Sequence, residues 1–192
     1  IDIDLNNKTA ELDHYYQLHV TFETIDSMGA NFINSCLERI AETFNNEQIR
    51  VVMSILSNYV PECLVRAEVN CPVEDFFDEN PAYYAEKFVQ AIRIAQIEPY
   101  RAVTHNKGIM NGIDAVVLAT GNDFRAIAAG AHAYAAKSGK YRSLTDARIE
   151  NGVFYFWIEI PLALGTVGGL TKLHPLAKLS LEILGQPSAR EL

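Results

Sequence analysis

The sequence predicts an α+β protein built from two units, with a boundary near residue 58. Runs of β-branched and aromatic residues alternate with segments whose apolar residues recur at helical spacing. An apolar fraction of 49% with 21% charged residues supplies a core and excludes a disordered chain. At 192 residues the chain is long enough for one domain or two small ones.

The first unit is predicted to contain a strand, a helix and a second strand. Residues 12–25 alternate and are rich in β-branched and aromatic side chains, which is typical of a strand. From Ile33 to Phe44 the apolar residues fall on one helical face, and Asn45-Asn46 are predicted to end this helix. Residues 49–56 are predicted to form the second strand, which completes a compact α+β unit.

The second unit begins with a predicted helix. Asn80-Pro81 combines an N-cap residue with proline at the first helical position, and the helix is expected to reach Ile97. Residues 108–121 are apolar and flanked by glycine, so that periodicity alone fits either a helix or a strand. A further helix follows from Phe124 to Ala135, and its small residues permit close backbone packing.

The remainder predicts a hairpin and a last helix. Two strand-like runs within residues 141–160 surround Asn151-Gly152, which favours a tight hairpin turn. The long apolar stretch Val153–Leu170 contains a glutamate, a proline and three glycines, which indicates a strand and a turn rather than a membrane span. The last helix is predicted to begin at Pro175 and to stop before Gly185.

Charge and cysteine content exclude several classes of function. Sixteen basic against 24 acidic residues give a net charge of −8, which argues against binding of a nucleic-acid backbone. The three cysteines (Cys36, Cys63 and Cys71) are odd in number and lack CxxC spacing, so we expect reduced thiols and a cytoplasmic protein. None of the five histidines is paired at metal-ligand spacing, and no metal site is predicted.

The segment from Arg101 to Gly112 is the first candidate for chemistry, because cations, amides and glycines crowd together beside an apolar run. A lysine next to a glycine, such as Lys107, can point into a cleft and stabilise an oxyanion or donate a proton. Asp123, at a helix start, is an available carboxylate. The alternative is a solvated loop lysine and an ordinary acidic residue in the first turn of a helix.

A second candidate is the segment Asp26–Asn31, which opens a helix directly after a strand. Free N–H groups and the helix dipole favour an anion at such a place, and Gly29 would let a pyrophosphate approach the backbone. Asp26 is explained equally well as an N-cap. Neither GxGxxG, nor a Walker lysine, nor GxSxG occurs in the sequence.

These two segments resemble a known family. THNKGIMNGIDAVVLATGND (residues 104–123), DSMGAN (26–31), ILSN (55–58) and PLALGTVGG (161–169) are similar to bacterial-type, class II 3-hydroxy-3-methylglutaryl-CoA reductases. The resemblance extends from about residue 12 to the end of the chain, and the long block that ends at Asp123 is its most specific part.

The resemblance implies roles for individual residues. Lys107 and Asp123 match the catalytic lysine and aspartate, with Asp123 holding the lysine charged and oriented, and Arg101 and Asn111 match substrate-binding positions. The matches to the cofactor-binding positions for NADH or NADPH are Asp26, Met28, Gly29, Asn31 and Asn58. It further implies a ferredoxin-like nicotinamide-binding domain in residues 1–58, part of a larger, mainly helical α/β substrate domain in residues 59–192, and a homodimer with active sites at the subunit interface.

The family also uses a catalytic glutamate from an upstream motif and a histidine from a C-terminal segment, and neither context occurs in these 192 residues. Because the first residue is Ile1, we expect the chain to be the middle of a reductase that converts 3-hydroxy-3-methylglutaryl-CoA to mevalonate and CoA. We expect it to be inactive by itself.

Two alternatives remain open: a module that binds a dinucleotide or acyl-CoA without turnover, and a scaffold that only dimerises. The open reading frame on either side of Ile1 and Leu192 would discriminate these two alternatives from the enzyme, because flanking sequence with the glutamate and histidine motifs would favour the enzyme. The choice between NADH and NADPH and the physiological direction also stay open at this point.

Overall fold

The computed structural model describes residues 1–44, 46–76 and 79–192. Contacts divide the chain into two units, Ile1–Leu56 and Ser57–Leu192, and the predicted boundary near residue 58 lies two residues beyond this division. Both units mix helices with strands, so the coarse prediction of a mixed helix and sheet protein is confirmed.

The first unit consists of an antiparallel strand pair and one helix. Strand β1 (Asp2–Asn7) pairs with β2 (Tyr16–Thr21), and helix α1 spans Ala30–Phe44. The helix was predicted, and β2 lies inside the predicted strand 12–25, whereas β1 was not anticipated. Asn45, predicted to end the helix, lies outside the described residues. No described side chain of this unit is fully buried.

The prediction of a strand at residues 49–56 is wrong. This segment forms no ladder with the described strands, and Val52, Met53 and Ile55 are largely exposed. Its backbone is held instead by a side chain, because the N–H of Leu56 donates to Oδ1 of Asn34 at 2.9 Å. β-propensity describes how well a side chain fits a pleated, half-buried surface, and no strand of the described residues pairs with this run to provide one.

A three-stranded antiparallel sheet forms one side of the second unit. Its order is β3 (Leu64–Pro72), β5 (Val153–Pro161), β4 (Thr145–Glu150). The predicted hairpin is confirmed: Asn151 and Gly152 both have positive φ, at 51° and 76°, which a two-residue turn of type I′ requires. Strand β3 was not predicted.

In the described part of the second unit, five α-helices pack on the sheet or on one another. They are α2 (Pro81–Ile97), α3 (Pro99–Ala119), α4 (Phe124–Ala135), the short α5 (Gly169–Leu173) and α6 (Pro175–Ile183). The predicted cap is present, because Oδ1 of Asn80 accepts from the N–H of Tyr83 at 3.3 Å. The ambiguous segment 108–121 belongs for the most part to α3, and none of the described helices is long and apolar enough to cross a membrane.

The core has two apolar clusters. In one, Ala85, Val89 and Ile92 of α2 pack on Ala147 and Phe154 of the sheet. The other cluster lies between α3, α4 and β5. Its large buried side chains include Met110, Val117, Ile127, Tyr134, Leu144 and Ile160. α3 therefore presents one side to the core and the opposite side to solvent.

A fully buried amide anchors α3 to the chain before β4. The side chain of Asn106 donates to the carbonyl of Arg142 at 2.8 Å and accepts from the N–H of Leu144 at 2.9 Å. Close packing predicted for α4 is also found, since a Cβ at Gly130 would lie 2.8 Å from the carbonyl oxygen of Asn58. Glycine is needed there because the two backbones touch.

Candidate active site

Helix α3 carries three of the predicted site residues on its exposed side. Arg101, Lys107 and Asn111 are all exposed, and at 3.6 residues per turn they fall within an arc of about 120°. Gly108 and Gly112 lie on the same side, with no atom within 4 Å of the Cβ position of either. The result is a polar strip with two positive charges and open space above its glycines.

The turn between α3 and α4 fixes a fourth predicted residue, Asp123. α3 ends in a Schellman motif, in which the N–H of Asn122 donates to the carbonyl of Val117 at 2.9 Å and that of Gly121 to Leu118 at 3.1 Å. Gly121 has φ of +74°, as the motif requires. Asp123 follows at once as the N-cap of α4, so the two helix ends share one short turn.

The same turn is tied to the glycine-rich loop that follows β5. The Asn122 amide donates to the carbonyl of Gly165 at 3.0 Å, and Oδ1 accepts from the N–H of Gly165 at 2.8 Å. The amide also donates to Oγ1 of Thr120, a residue with no exposed surface. The sequence analysis did not single out Asn122, because the contact joins residues 43 positions apart.

The Asp123 carboxylate is engaged within its own helix turn. It accepts from the backbone N–H groups of Arg125 at 3.0 Å and Ala126 at 3.3 Å, and it forms a bidentate pair with the Arg125 guanidinium, both contacts at 3.1 Å. The guanidinium hydrogen bond is the main reason that the pKa of Asp123 lies below its usual value, and the two backbone N–H groups add to this effect.

The structure does not bring Lys107 and Asp123 of one chain together. α3 continues for twelve residues beyond Lys107, to Ala119, which corresponds to about 18 Å along the helix axis. A lysine stem of four carbons cannot span that length. No ion pair involves Lys107 in the part of the chain that the structure describes. The contact between Asp123 and Lys107 that the resemblance implies is therefore not made within one chain.

Polar residues on the other side of α3 have structural partners. His105 Nε2 lies 2.7 Å from Oγ1 of Thr145, and burial, assisted by the charge of Arg101, lowers the pKa of the imidazole. A cavity of about 230 Å³ lies nearby. Two of its polar groups are already satisfied, as Gln96 donates to the carbonyl of Thr145 and Tyr134 donates to Glu159. The exposed strip is therefore the stronger candidate site.

The cofactor motif predicted in the first unit forms the turn before α1. Gly29 has φ of +71°, and a Cβ there would lie 2.8 Å from Cγ2 of Thr24. Ser27 Oγ accepts from the N–H of Gly29 at 3.1 Å, and Asn31 lies exposed in the first turn of the helix. Glycine is thus required by the backbone itself, in addition to any role toward a ligand.

Comparison with known proteins assigns the family. The family model for hydroxymethylglutaryl-coenzyme A reductase matches residues 2–192. The 3-hydroxy-3-methylglutaryl-coenzyme A reductase of Archaeoglobus fulgidus is 44% identical over 91% of this chain and 40% of its own length. A probable reductase of the same name from Borreliella burgdorferi is 38% identical over 91% of the chain and 41% of its own length.

Solved structures agree with this result. A 3-hydroxy-3-methylglutaryl-coenzyme A reductase from Streptococcus pneumoniae superposes with a TM-score of 0.82 at 39% identity, covering 92% of this chain and 42% of that one. A structure of the class II enzyme from the same organism, bound to NADPH in open conformations, superposes equally well and is 48% covered.

The family model and the superposed structures thus place the chain among reductases of the class II type. The chain belongs to the hydroxymethylglutaryl-coenzyme A reductase family. It spans about two fifths of the length of the curated relatives described above.

The first testable consequence concerns the charge state of Asp123. Arg125→Gln should raise the pKa of Asp123 toward its usual value, and Arg148→Gln, which removes a guanidinium paired with Glu150, should leave that pKa unchanged. Carboxyl-carbon NMR titration in the intact protein measures both. An unchanged pKa of Asp123 in Arg125→Gln would contradict the assignment of the guanidinium as the main cause of the lowered pKa.

The lowered pKa of Asp123 also makes stability depend on pH. In the unchanged protein, the Asp123 interactions contribute their full stability above the usual carboxyl pKa. This stability is lost as pH falls through the lowered pKa of the folded state.

Proposed function

We propose that this chain supplies the central part of a 3-hydroxy-3-methylglutaryl-CoA reductase, which uses two NAD(P)H to convert its substrate to mevalonate and CoA. The observation that carries the proposal is the exposed strip of α3, on which Arg101, Lys107 and Asn111 lie together. The sequence resemblance implies catalytic and substrate-binding roles for these three residues. The 3-hydroxy-3-methylglutaryl group of the substrate carries a carboxylate and a hydroxyl, and a thioester carbonyl joins it to CoA. Two cations and an amide in a row supply suitable partners for these groups.

In the proposed mechanism, Lys107 acts on the thioester carbonyl. The nicotinamide, when bound, supplies the hydride, and negative charge develops on the carbonyl oxygen. The Lys107 ammonium stabilises that oxyanion, an effect of roughly 3–4 kcal/mol for one well-placed donor. Arg101 and Asn111 hold the hydroxymethylglutaryl end, so that the reacting carbon stays in place. We further propose that a glutamate and a histidine outside these 192 residues complete the proton transfers.

The length of α3 supports a shared active site. About 18 Å of helix separates Lys107 from Ala119, at the end of α3, and Asp123 follows in the next turn, yet the sequence resemblance implies catalytic roles for both Lys107 and Asp123. We therefore propose a homodimer in which Asp123 of one protomer meets Lys107 of its partner. The open space above Gly108 and Gly112 and the 88% exposed ring of Tyr100 support a second protomer covering this side.

For the dinucleotide we propose the first unit as part of a ferredoxin-like domain, with Asp26, Met28, Gly29 and Asn31 as binding residues. The strand pair followed by α1, the N–H groups of the first helix turn and the NADPH-bound relative support this assignment. For Asn58, in the second unit, we propose the role that the resemblance implies, that of an amide near the nicotinamide. Reduced thiols at Cys36 and Cys71 support a cytoplasmic location.

The central prediction concerns Lys107. In the full-length enzyme, Lys107→Ala should lower kcat at least a hundredfold and change the substrate KM far less, because the interaction grows as charge develops. Lys87→Ala, at an exposed lysine of α2, is the matched control and should retain full activity. Steady-state kinetics with the acyl-CoA and NADPH measures both. A variant with normal kcat and a raised KM would show ordinary ground-state binding and overturn the proposed role.

A separate prediction tests the dinucleotide site. Asn31→Ala changes an exposed residue and should weaken NAD(P)H binding at least tenfold, about 1.4 kcal/mol, while acyl-CoA affinity stays the same. Ser35→Ala, one turn further along the exposed side of α1, is the control and should bind both ligands normally. Calorimetry with each ligand measures the contrast. Loss of acyl-CoA binding with NAD(P)H binding retained would reverse the assignment of the two sites.

A further inference from the structure

We propose that Asn122 is a positioning residue that holds catalytic Asp123 in place by joining the α3–α4 turn to the glycine-rich loop at Gly165. This inference rests on the proposed function, because it assigns the role of Asn122 through Asp123. It adds a residue to which sequence analysis gave no function.

The hydrogen bonds of Asn122 show that its amide is fully occupied. Both amide hydrogens have acceptors, Oγ1 of Thr120 and the carbonyl of Gly165, each at 3.0 Å. The amide oxygen accepts from the N–H of Gly165 at 2.8 Å. No N–H of this side chain is left for a substrate. Asn122 therefore acts on the site through the backbone that it fixes.

The backbone at this position is held from several directions. The N–H of Asn122 closes the Schellman motif on Val117. A Cβ at the preceding Gly121 would lie 3.2 Å from that of Leu170 and 3.3 Å from that of Ala177, so α5 and α6 pack directly against the turn. Asp123 is the next residue in the chain, and its place relative to α5 and α6 follows from these contacts.

Loss of the amide should therefore move Asp123 without removing it. Without Asn122, the carbonyl and N–H of Gly165 lose their partners and the loop is free to separate from the turn. Misplacement of a catalytic group by about 1 Å can cost a hundredfold in rate. Because Asp123 acts on the lysine in the transition state, the loss should appear in kcat and not in KM.

Gln96 offers a matched control within the same unit. Its side-chain amide donates to the backbone carbonyls of Ser143 at 3.4 Å and of Thr145 at 2.6 Å. Gln96 lies on α2, and neither it nor these two partners is assigned to catalysis or to ligand binding. Gln96→Ala therefore reports the effect of losing an amide clamp on stability alone.

The experiment compares Asn122→Ala, Gln96→Ala and Lys107→Ala in the full-length enzyme by thermal melting and by steady-state kinetics. Both clamp variants, Asn122→Ala and Gln96→Ala, should lower Tm. We expect kcat, corrected for folded protein, to fall at least tenfold in Asn122→Ala with KM changed less than about threefold, and to stay within about threefold in Gln96→Ala. Should Asn122→Ala fail to fold, Asn122→Ser, whose single hydroxyl cannot replace all three contacts of the amide, should show the same selective loss in kcat.

Two results would overturn the inference. One is a normal kcat in folded Asn122→Ala while Lys107→Ala is inactive. The other is an equal loss of kcat in Asn122→Ala and Gln96→Ala, which would reflect general destabilisation. A normal kcat in Lys107→Ala would instead overturn the proposed function itself, and this outcome is distinguishable from the other two.

Discussion

The continuity of helix α3 is the constraint on which the account of the site depends. From Lys107 to Ala119 the helix runs without interruption for about 18 Å along its axis, and Asp123 lies in the turn beyond its far end. The core side of the helix is fixed by buried contacts, including the Asn106 clamp, so the polar strip faces outward. A site that uses both residues then needs a second protomer, and the exposed strip is the surface that it would cover.

The second essential feature is the turn at the end of that helix. Three consecutive residues, Gly121 to Asp123, form this turn between α3 and α4, and each has a distinct structural role. Gly121 supplies the positive φ of a Schellman motif, Asn122 clamps the loop at Gly165, and Asp123 caps α4. The Arg125 guanidinium then lowers the pKa of the Asp123 carboxyl further below its usual value. The negative charge of the Asp123 carboxylate is thereby fixed at the start of α4.

Local signals predicted much of the second unit. The N-cap at Asn80, the hairpin turn at Asn151-Gly152 and the last helix from Pro175 follow from short-range chemistry, and all are present. Long-range features were not predictable in the same way. Strand β3 depends on pairing with β5, some ninety residues later in the sequence.

The same distinction applies to the candidate site. Each residue of the α3 strip could be named from the family motif. Their arrangement could not, since the spacing of Lys107 and Asp123 leaves open whether the intervening segment is a helix or a strand. The role of Asn122 was hidden for the same reason, because Gly165 is a distant neighbour in sequence. Sequence motifs identify the chemical groups of the candidate site, and the fold determines whether two of these groups can meet within one chain.

Subunit complementation tests the shared site most directly. Lys107→Ala and Asp123→Asn proteins, each inactive alone, are mixed under conditions that exchange protomers. If each site combines a lysine from one protomer with an aspartate from its partner, every mixed dimer regains one intact site. Random mixing should then restore about a quarter of the wild-type activity. Activity that remains at the level of the two separate variants would contradict the account and place both residues in a site formed by a single chain.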